Sequence, residues 1–598
     1  MPRLSTGSWR RLIAAVVVIG CTVVFTLRLV DIQLVSAAGL NEDAAGKRAV
    51  PVVIPSLRGD IVDRDGEILA TTDERYDVQL SPKNTRLNDG IFQRYSEAEE
   101  TWVGVTASEA FAEIGEITGQ SAKKIQKIVD DALEENPKSD FAYVKRSVDL
   151  SALNRLKALE IPWLTFESNH ARSYPNGAVG GNLVGFSGSD GEPLAGVELS
   201  QDACLVGTDG EESYERGADG VALPGSVVVT QEAIDGGTVG LTIDRDLQWE
   251  AQQIIDSQVA SVKAEWGLLT IMDAKTGELV AVAEDDSVDP GDIDGSNPDK
   301  REARSFVAPY EPGSTFKTLT AAALIDAGVA GPTTVNATPD RWQPEPNVDF
   351  RDWFSHGTID WTLTGILLQS SNVGISMLGS KLDADSRYDS LRKFGIGEAT
   401  SAGMPAEDSG MLYAASDWDR QTSYTTMFGQ GLSSTIVQTA SAYQAIANDG
   451  VRIPPSLVTG CTDAAGETVE PDRGKPVQAV SKRTAKEVRN MLETVGTDGL
   501  VSQYVTIPGY RIGGKTGTAQ QSNGRGGYRT DFVYSFAGMF PMDDPRYVIV
   551  SSVAFPKGGD GTVAATRAFH DAAEATIRTF HIPPSTGKYK KLATGGDD

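Results

Sequence analysis

The sequence predicts an α+β protein: an antiparallel sheet flanked by helices, preceded by a mixed α/β accessory domain and one membrane-spanning helix. Three observations predict it. Strand-like runs open and close the C-terminal region, with a mostly helical stretch between them; such an order brings both ends of the region into one sheet. A Gly/Asp-rich stretch over 215–240 separates that region from an earlier one of alternating and helical runs. An uncharged apolar run lies near the N-terminus.

Residues 1–11 read as a cytoplasmic stub and 12–34 as the anchor. Arg3, Arg10 and Arg11 precede an apolar run from Leu12 to Leu27, interrupted by Arg28 and continued to Val30. About 19 apolar residues can span a bilayer if Arg28 snorkels to the interface. Arginines ahead of the span put the N-terminus in the cytoplasm and the rest outside the membrane. The rival is a cleaved signal peptide, because Val35-Ser-Ala37 offers small residues. Cys21 after Val18-Ile-Gly faintly suggests a lipid anchor, but apolar residues continue beyond it.

Residues 50–235 form the expected accessory domain, with one charged helix over Ser108–Asn136. The catalytic domain is expected over 238–582. It opens with an amphipathic helix after Asp246 and a hairpin, Leu268–Met272 and Leu279–Ala283, around Lys275. Glu284–Lys300 is acidic, rich in Gly and Pro, and reads as a loop. Ser314 follows Pro312-Gly313 and opens a helix that stops at Gly328. Two strands, Phe532–Phe540 and Tyr547–Phe555, precede a closing helix over Val563–Phe580. Residues 583–598 are expected to be a disordered tail.

The 598 residues suffice for more than one domain, and a net charge of −28 argues against nucleic acid as a partner. There are three cysteines. With Cys21 in the apolar run, Cys204 and Cys461 could pair or remain buried thiols. No Cys/His cluster has metal-ligand spacing.

Three short strings carry the chemistry: Ser314-Thr-Phe-Lys317, Ser370-Ser371-Asn372 and Lys515-Thr516-Gly517. The first and the third recur elsewhere, and context separates the copies. Ser121-Ala-Lys-Lys124 lies in the charged helix, Ser585-Thr-Gly-Lys588 in the tail, and Lys275-Thr276-Gly277 in the hairpin turn. A serine hydroxyl needs a base beside it. Histidine is the usual base, but the four histidines accompany no Gly-x-Ser-x-Gly elbow. Lysine can serve if burial and a neighbouring cation keep it neutral. Lys317 shares a helical face with Ser314, and Lys515 could supply the cation.

The three strings in this order resemble the set shared by penicillin-binding proteins and serine β-lactamases. Arg58-Gly59-Asp-Ile-Val-Asp63-Arg64-Asp-Gly66-Glu-Ile-Leu-Ala70 resembles the N-terminal signature of class B penicillin-binding proteins. Arg172-Ser-Tyr174-Pro175, Leu241-Thr-Ile-Asp244, Phe394-Gly-Ile-Gly397 and Gly429-Gln430-Gly431 are similar to further elements of that family. Ser-Ser-Asn-Val-Gly is most like the division-specific, septal transpeptidases; elongation-specific relatives often carry Asp at the position of Asn372.

The resemblance implies a penicillin-binding/β-lactamase-like transpeptidase domain on a pedestal, acting without a cofactor. Ser314 would attack the carbonyl between the last two D-alanines of a peptidoglycan stem peptide, and Lys317 would take its proton. Ser370 would relay the proton to the leaving amine, and Asn372 would position the peptide amide. Lys515 and Thr516 would bind the terminal carboxylate, with Gly517 completing the motif and Thr518 nearby. Backbone N–H groups of Ser314 and Thr518 would hold the oxyanion. β-Lactams would be covalent inhibitors. A membrane glycosyltransferase and cell-division proteins would be partners, docked through the accessory motif Arg58, Gly59, Asp63, Arg64 and Gly66. The plainer reading of that motif is a turn and salt-bridge cluster joining the two domains. An elongation-specific transpeptidase is the first alternative, ahead of a D,D-carboxypeptidase, a β-lactamase and a non-catalytic β-lactam sensor.

Overall fold

Strands from both ends of the 238–582 region meet in one antiparallel sheet. In the computed structural model, which describes residues 6–36, 49–96, 100–188, 191–215 and 225–596, its order is Leu279–Glu284, Trp266–Asp273, Tyr547–Ala554, Tyr528–Phe540, Gly513–Ser522. The join between early and late strands runs from Trp266 opposite Ala554 to Asp273 opposite Tyr547. The expected antiparallel sheet, flanked by helices, is therefore present.

Alternation along the strands divides the core in two. Leu269, Ile271, Ile549 and Val553 pack with the Arg245–Val262 and Gly561–Thr579 helices. Leu268, Met272, Val548 and Val550 face a larger cluster holding the Lys317–Asp326 and Ile436–Ala447 helices. Successive side chains on a strand point to opposite faces, so a sheet covered on both sides reads as an unbroken apolar run. Each such buried aliphatic side chain contributes roughly 1.5–3 kcal/mol. The closing helix begins two residues earlier than expected because Asp560 caps it, accepting from Thr562 N at 2.8 Å.

A second, mixed sheet joins the two expected domains. Its path is Thr468–Val469, Val458–Thr462, Thr238–Leu241, Ile61–Val62, Ile68–Leu80 and Ala142–Val148, with Leu164–Ser173 also paired to Ile68–Leu80. Val239 pairs with Ile61 in parallel and with Cys461 in antiparallel. Cys204 and Cys461 form a disulfide across 257 residues of sequence. Closing so long a loop lowers the entropy of the unfolded chain, an effect of about 2–5 kcal/mol.

Two expectations change. The charged helix expected over 108–136 is two helices, Ala107–Thr118 and Ala122–Glu135. Gly119 at φ +71° ends the first, and the Ser121 hydroxyl caps the second by accepting from Lys124 N. The tail expected to be disordered instead lies along the C-terminal region up to residue 596. Ser585 N donates to Gly509 O at 2.9 Å, Thr362 Oγ1 to Ala593 O at 2.7 Å, and Leu592 packs on the larger core. Strand-like backbone pairing and one apolar side chain hold a segment whose polar composition reads as loose.

Contacts divide the chain into two compact units, 58–205 with 237–598 and 1–57 with 206–236, so the expected accessory segment 50–235 is shared between them. The smaller unit holds an antiparallel three-stranded sheet, Ala49–Ile54, Gly210–Glu215 and Val228–Gln231. It also holds the apolar helix Thr6–Val30, continued by a π turn over Asp31–Val35. Trp9–Val35 is long and apolar enough to cross a membrane. Arg28 pairs with Asp31 at 2.5 Å, so the arginine that interrupts the run is neutralised on its own helix. Arg3 of the stub, Ala37 of the alternative cleavage site and 216–224 of the Gly/Asp-rich stretch lie outside the described residues.

Candidate active site

The turn that carries Ser314 is made by a close approach of three segments. Gly313–Phe316 forms a 3₁₀ turn that runs into the Lys317–Asp326 helix. Thr315 Oγ1 donates to Pro312 O at 2.9 Å, and Tyr443 OH donates to Thr315 O at 2.8 Å. Gly429, at φ +79°, lies against this turn so closely that a Cβ would fall 2.2 Å from Gly313 O. On the other strand, a Cβ at Gly517 would lie 3.0 Å from both Pro312 O and Thr315 Cγ2. Both positions therefore demand glycine. Ser314 is half-buried in this turn.

Lys317 lies one helical turn after Ser314 and is fully buried. Its Nζ donates to Ser370 O and to Ser370 Oγ, the latter at 3.2 Å. Lys515 Nζ reaches the same Ser370 Oγ at 3.0 Å, and Thr516 O and Oγ1 at 3.1 Å each. The structure thus brings Lys317, Ser370, Lys515 and Thr516 into one hydrogen-bonded chain, with Ser370 Oγ between two amines. Ser370 ends the Leu363–Gln369 helix in the left-handed region at φ +56°.

Burial is expensive for a cation. It holds the Lys317 amine well below the usual lysine range; the nearby Lys515 charge adds to this, and Asp352 opposes it. Burial brings Lys515 down to about 7. Two ammonium groups cannot share one buried hydroxyl cheaply, so the Lys515 charge adds to burial in favouring the neutral form of Lys317. A lysine amine favoured in its neutral form is able to accept a proton.

Asn372 opens the Asn372–Gly379 helix, and its Nδ2 donates to Arg351 O at 3.4 Å. The cap of that helix is Ser371, which accepts from Gly374 N at 2.8 Å, so Asn372 is spared that role. Thr518 is exposed on the same strand as Lys515.

Arg58, Gly59, Asp63, Arg64 and Gly66 gather elsewhere. Arg58 donates to Glu198 Oε2 at 2.8 Å and Asp202 Oδ1 at 2.5 Å. Arg172 reaches Glu198 Oε1 at 2.6 Å and Gly59 O at 2.7 Å. Asp63 Oδ1 accepts from Asp65 N and Glu67 N, and Oδ2 from Arg245 N at 3.1 Å, where the first helix of the C-terminal region starts. Arg64 N donates to Ile243 O, and its guanidinium stands 5.0 Å over the Phe580 ring. Gly66 makes the turn at φ +85°. The cluster ties the 58–70 segment to the catalytic region, as the plainer reading expects.

Sequence reasoning missed Glu198, fully buried between Arg58 and Arg172, and Asp352. It also missed Glu311, which immediately precedes Pro312. Tyr528 OH donates to Glu311 Oε1 at 3.0 Å, and Gln521 brackets its backbone, accepting from Glu311 N at 2.8 Å and donating to Glu311 O at 3.0 Å. Burial pushes the Glu311 carboxyl up to about 7. The folded chain therefore holds this proton more tightly than the unfolded chain. That contribution to stability is complete below the ordinary carboxylate range and is lost as pH rises through about 7. Glu311→Gln should leave the melting temperature unchanged near pH 4 and raise it near pH 8, by an amount equivalent to about 1–3 kcal/mol. Thermal melts at the two pH values check this; an equal shift at both would contradict it.

Residues 267–574 match the family described as the penicillin binding protein transpeptidase domain, and 53–241 the penicillin-binding protein dimerisation domain. The chain is 35% identical to penicillin-binding protein PbpB of Mycolicibacterium smegmatis, over 98% of this chain and 92% of the relative. It is 30% identical to the peptidoglycan D,D-transpeptidase FtsI of Escherichia coli, over 75% of this chain and 74% of that one. A crystal structure of penicillin-binding protein 3 from Mycobacterium tuberculosis, complexed with aztreonam, superposes with a TM-score of 0.68 at 30% identity. That match covers 91% of this chain and all of the other. With its motifs gathered as described and this similarity along nearly its whole length, the chain belongs to the class B penicillin-binding proteins, in the septal D,D-transpeptidase group.

Proposed function

We propose that this chain cross-links peptidoglycan during septum formation through an acyl-enzyme on Ser314. The observation that carries the reading is Ser370 Oγ, placed between Lys317 and Lys515. Ser314 Oγ attacks the carbonyl between the last two D-alanines of a stem peptide, forming the new C–O bond. Its proton passes to neutral Lys317. The Ser370 hydroxyl, in contact with both amines, carries a proton to the departing D-alanine nitrogen as the C–N bond breaks. Backbone N–H groups of Ser314 and Thr518 hold the oxyanion. Lys515, Thr516 and Thr518 take the terminal carboxylate, Gly517 lets their strand approach, and Asn372 orients the peptide amide. An amine from a second stem peptide then attacks the ester and frees Ser314. A β-lactam follows the first half of this path and stays attached, because its opened ring remains on the acyl carbon and blocks the second amine.

In this reading residues 12–34 anchor the chain with 1–11 in the cytoplasm, 50–235 serve as the pedestal, and 238–582 carry out catalysis outside the membrane. A membrane glycosyltransferase supplies the glycan strands, and division proteins bring both to the septum. The anchor adds location but no catalytic group. A soluble chain starting at Ala49 should therefore be acylated by labelled penicillin at the rate of the full chain in detergent. It should fail to restore division in cells depleted of the full chain, which should grow as filaments. Rounded depleted cells would contradict the septal role, and full rescue by the soluble chain would contradict the need for the anchor.

A further inference from the structure

Asp352 stands outside the three motifs and is buried beside them, with 0% of its side chain exposed. Its Oδ2 accepts the Ser371 hydroxyl at 2.6 Å, and its Oδ1 accepts the Val373 N–H at 3.0 Å. His356 Nε2 lies 3.2 Å from Oδ2. A buried carboxylate costs several kcal/mol unless its lone pairs are filled, and here they are filled by the residues that follow Ser370. The neighbouring Trp353 donates from Nε1 to Gln369 O at 3.1 Å, the residue just before Ser370. The 352–353 segment therefore grips the Ser370 turn from both sides.

The turn needs that grip. Ser370 lies at φ +56°, in the left-handed region that a non-glycine residue keeps only when its surroundings hold it there. Its hydroxyl must nevertheless stay within hydrogen-bond reach of two amines that arrive from a different helix and a different strand.

We propose that Asp352 is a positioning residue for acyl transfer, holding Ser371 and the first turn of the Asn372–Gly379 helix so that the Ser370 hydroxyl stays between Lys317 and Lys515. The carboxylate also acts through charge. Lys317 faces Lys515 from the Gly513–Ser522 strand and Asp352 from the segment ahead of Leu363–Gln369. Asp352 favours the proton on Lys317, whereas burial and Lys515 disfavour it. His356 is the titratable group in direct contact with Asp352.

The inference rests on the Ser314 reading, and the test separates the two. The acylation rate with labelled penicillin is measured from about pH 5 to pH 9 on the full chain in detergent. Asp352→Asn should slow acylation by at least about tenfold, the equivalent of one lost hydrogen bond to a charged group. It should also move the acidic limb of the profile to lower pH, because Lys317 loses the charge that favours its protonation. Ser371→Ala keeps the carboxylate; it should slow acylation about tenfold with the limb in place, and Ser371→Thr should restore the rate. A wild-type profile in Asp352→Asn, or a slower rate with an unmoved limb, would overturn the assignment. If Asp352→Asn does not fold, a normal rate in Ser371→Ala would do the same. Ser314→Ala, run in parallel, should not label; labelling there would refute the site itself, whatever Asp352 does.

Discussion

Ser314→Ala should give no covalent adduct with a labelled penicillin, while melting at the temperature of the parent chain. The side chain is half-buried at the start of the Lys317–Asp326 helix. The turn is held by Thr315, Tyr443 and the Gly429 and Gly517 contacts, none of which uses the Ser314 hydroxyl. Removing one oxygen therefore takes away the nucleophile and leaves the packing. Covalent catalysis has no substitute for the missing atom, and turnover should fall by on the order of 10⁴-fold or more. The competing serines test the choice. Ser121 caps a helix and Ser585 accepts from the Arg511 N–H at 3.0 Å, so both are occupied structurally. Labelling of Ser314→Ala at parent stoichiometry would mean that the nucleophile is elsewhere.

The three candidate motifs were legible because each is confined to a short string. A serine and a lysine three residues apart fall on one face of a helical turn, and Pro312-Gly313 marks where that turn starts. The sheet was legible for a related reason: Leu268–Met272 and Tyr547–Phe555 are nearly continuous apolar runs, broken only by Thr270 and by Ser551-Ser552, as strands covered on both faces tend to be. What stayed hidden depends on residues far apart in sequence. Asp352 reads as an ordinary loop acid until the fold sets it beneath Ser371. Glu198 carries no local mark of its position between Arg58 and Arg172. Cys204 and Cys461 each lie in unremarkable surroundings, and their pairing follows from Val239 meeting Cys461 in the joining sheet. The tail misled for the opposite reason: its composition is that of a loose segment, but backbone hydrogen bonds to 360–362 and 509 do not depend on composition.

Lys317→Ala should lower the acylation rate by about 10²–10⁴-fold, the usual contribution of a positioned general base, in a chain that still folds. Lys317 is fully buried and donates to Ser370, with its amine held well below the ordinary range by burial and by Lys515. It is thus neutral where an exposed lysine would be charged, and can take the Ser314 proton. The unfolded chain binds the Lys317 proton more tightly than the folded chain. Folding therefore carries a penalty that is fullest below the folded value and falls as pH rises toward the ordinary lysine range. Lys317→Met keeps the volume of the stem and removes the penalty, so it should melt higher than the parent near pH 6, with the difference shrinking near pH 9. Lys515→Ala should behave differently. It removes the group proposed to bind the carboxylate, so the loss should appear mainly as weaker recognition of the carboxylate-bearing substrate. Stopped-flow acylation and thermal melts on the same three variants measure both effects. Parent-like acylation in Lys317→Ala would end its assignment as the base. A Lys317→Met chain that melts lower than the parent at both pH values would mean that the buried amine is held as a structural cation.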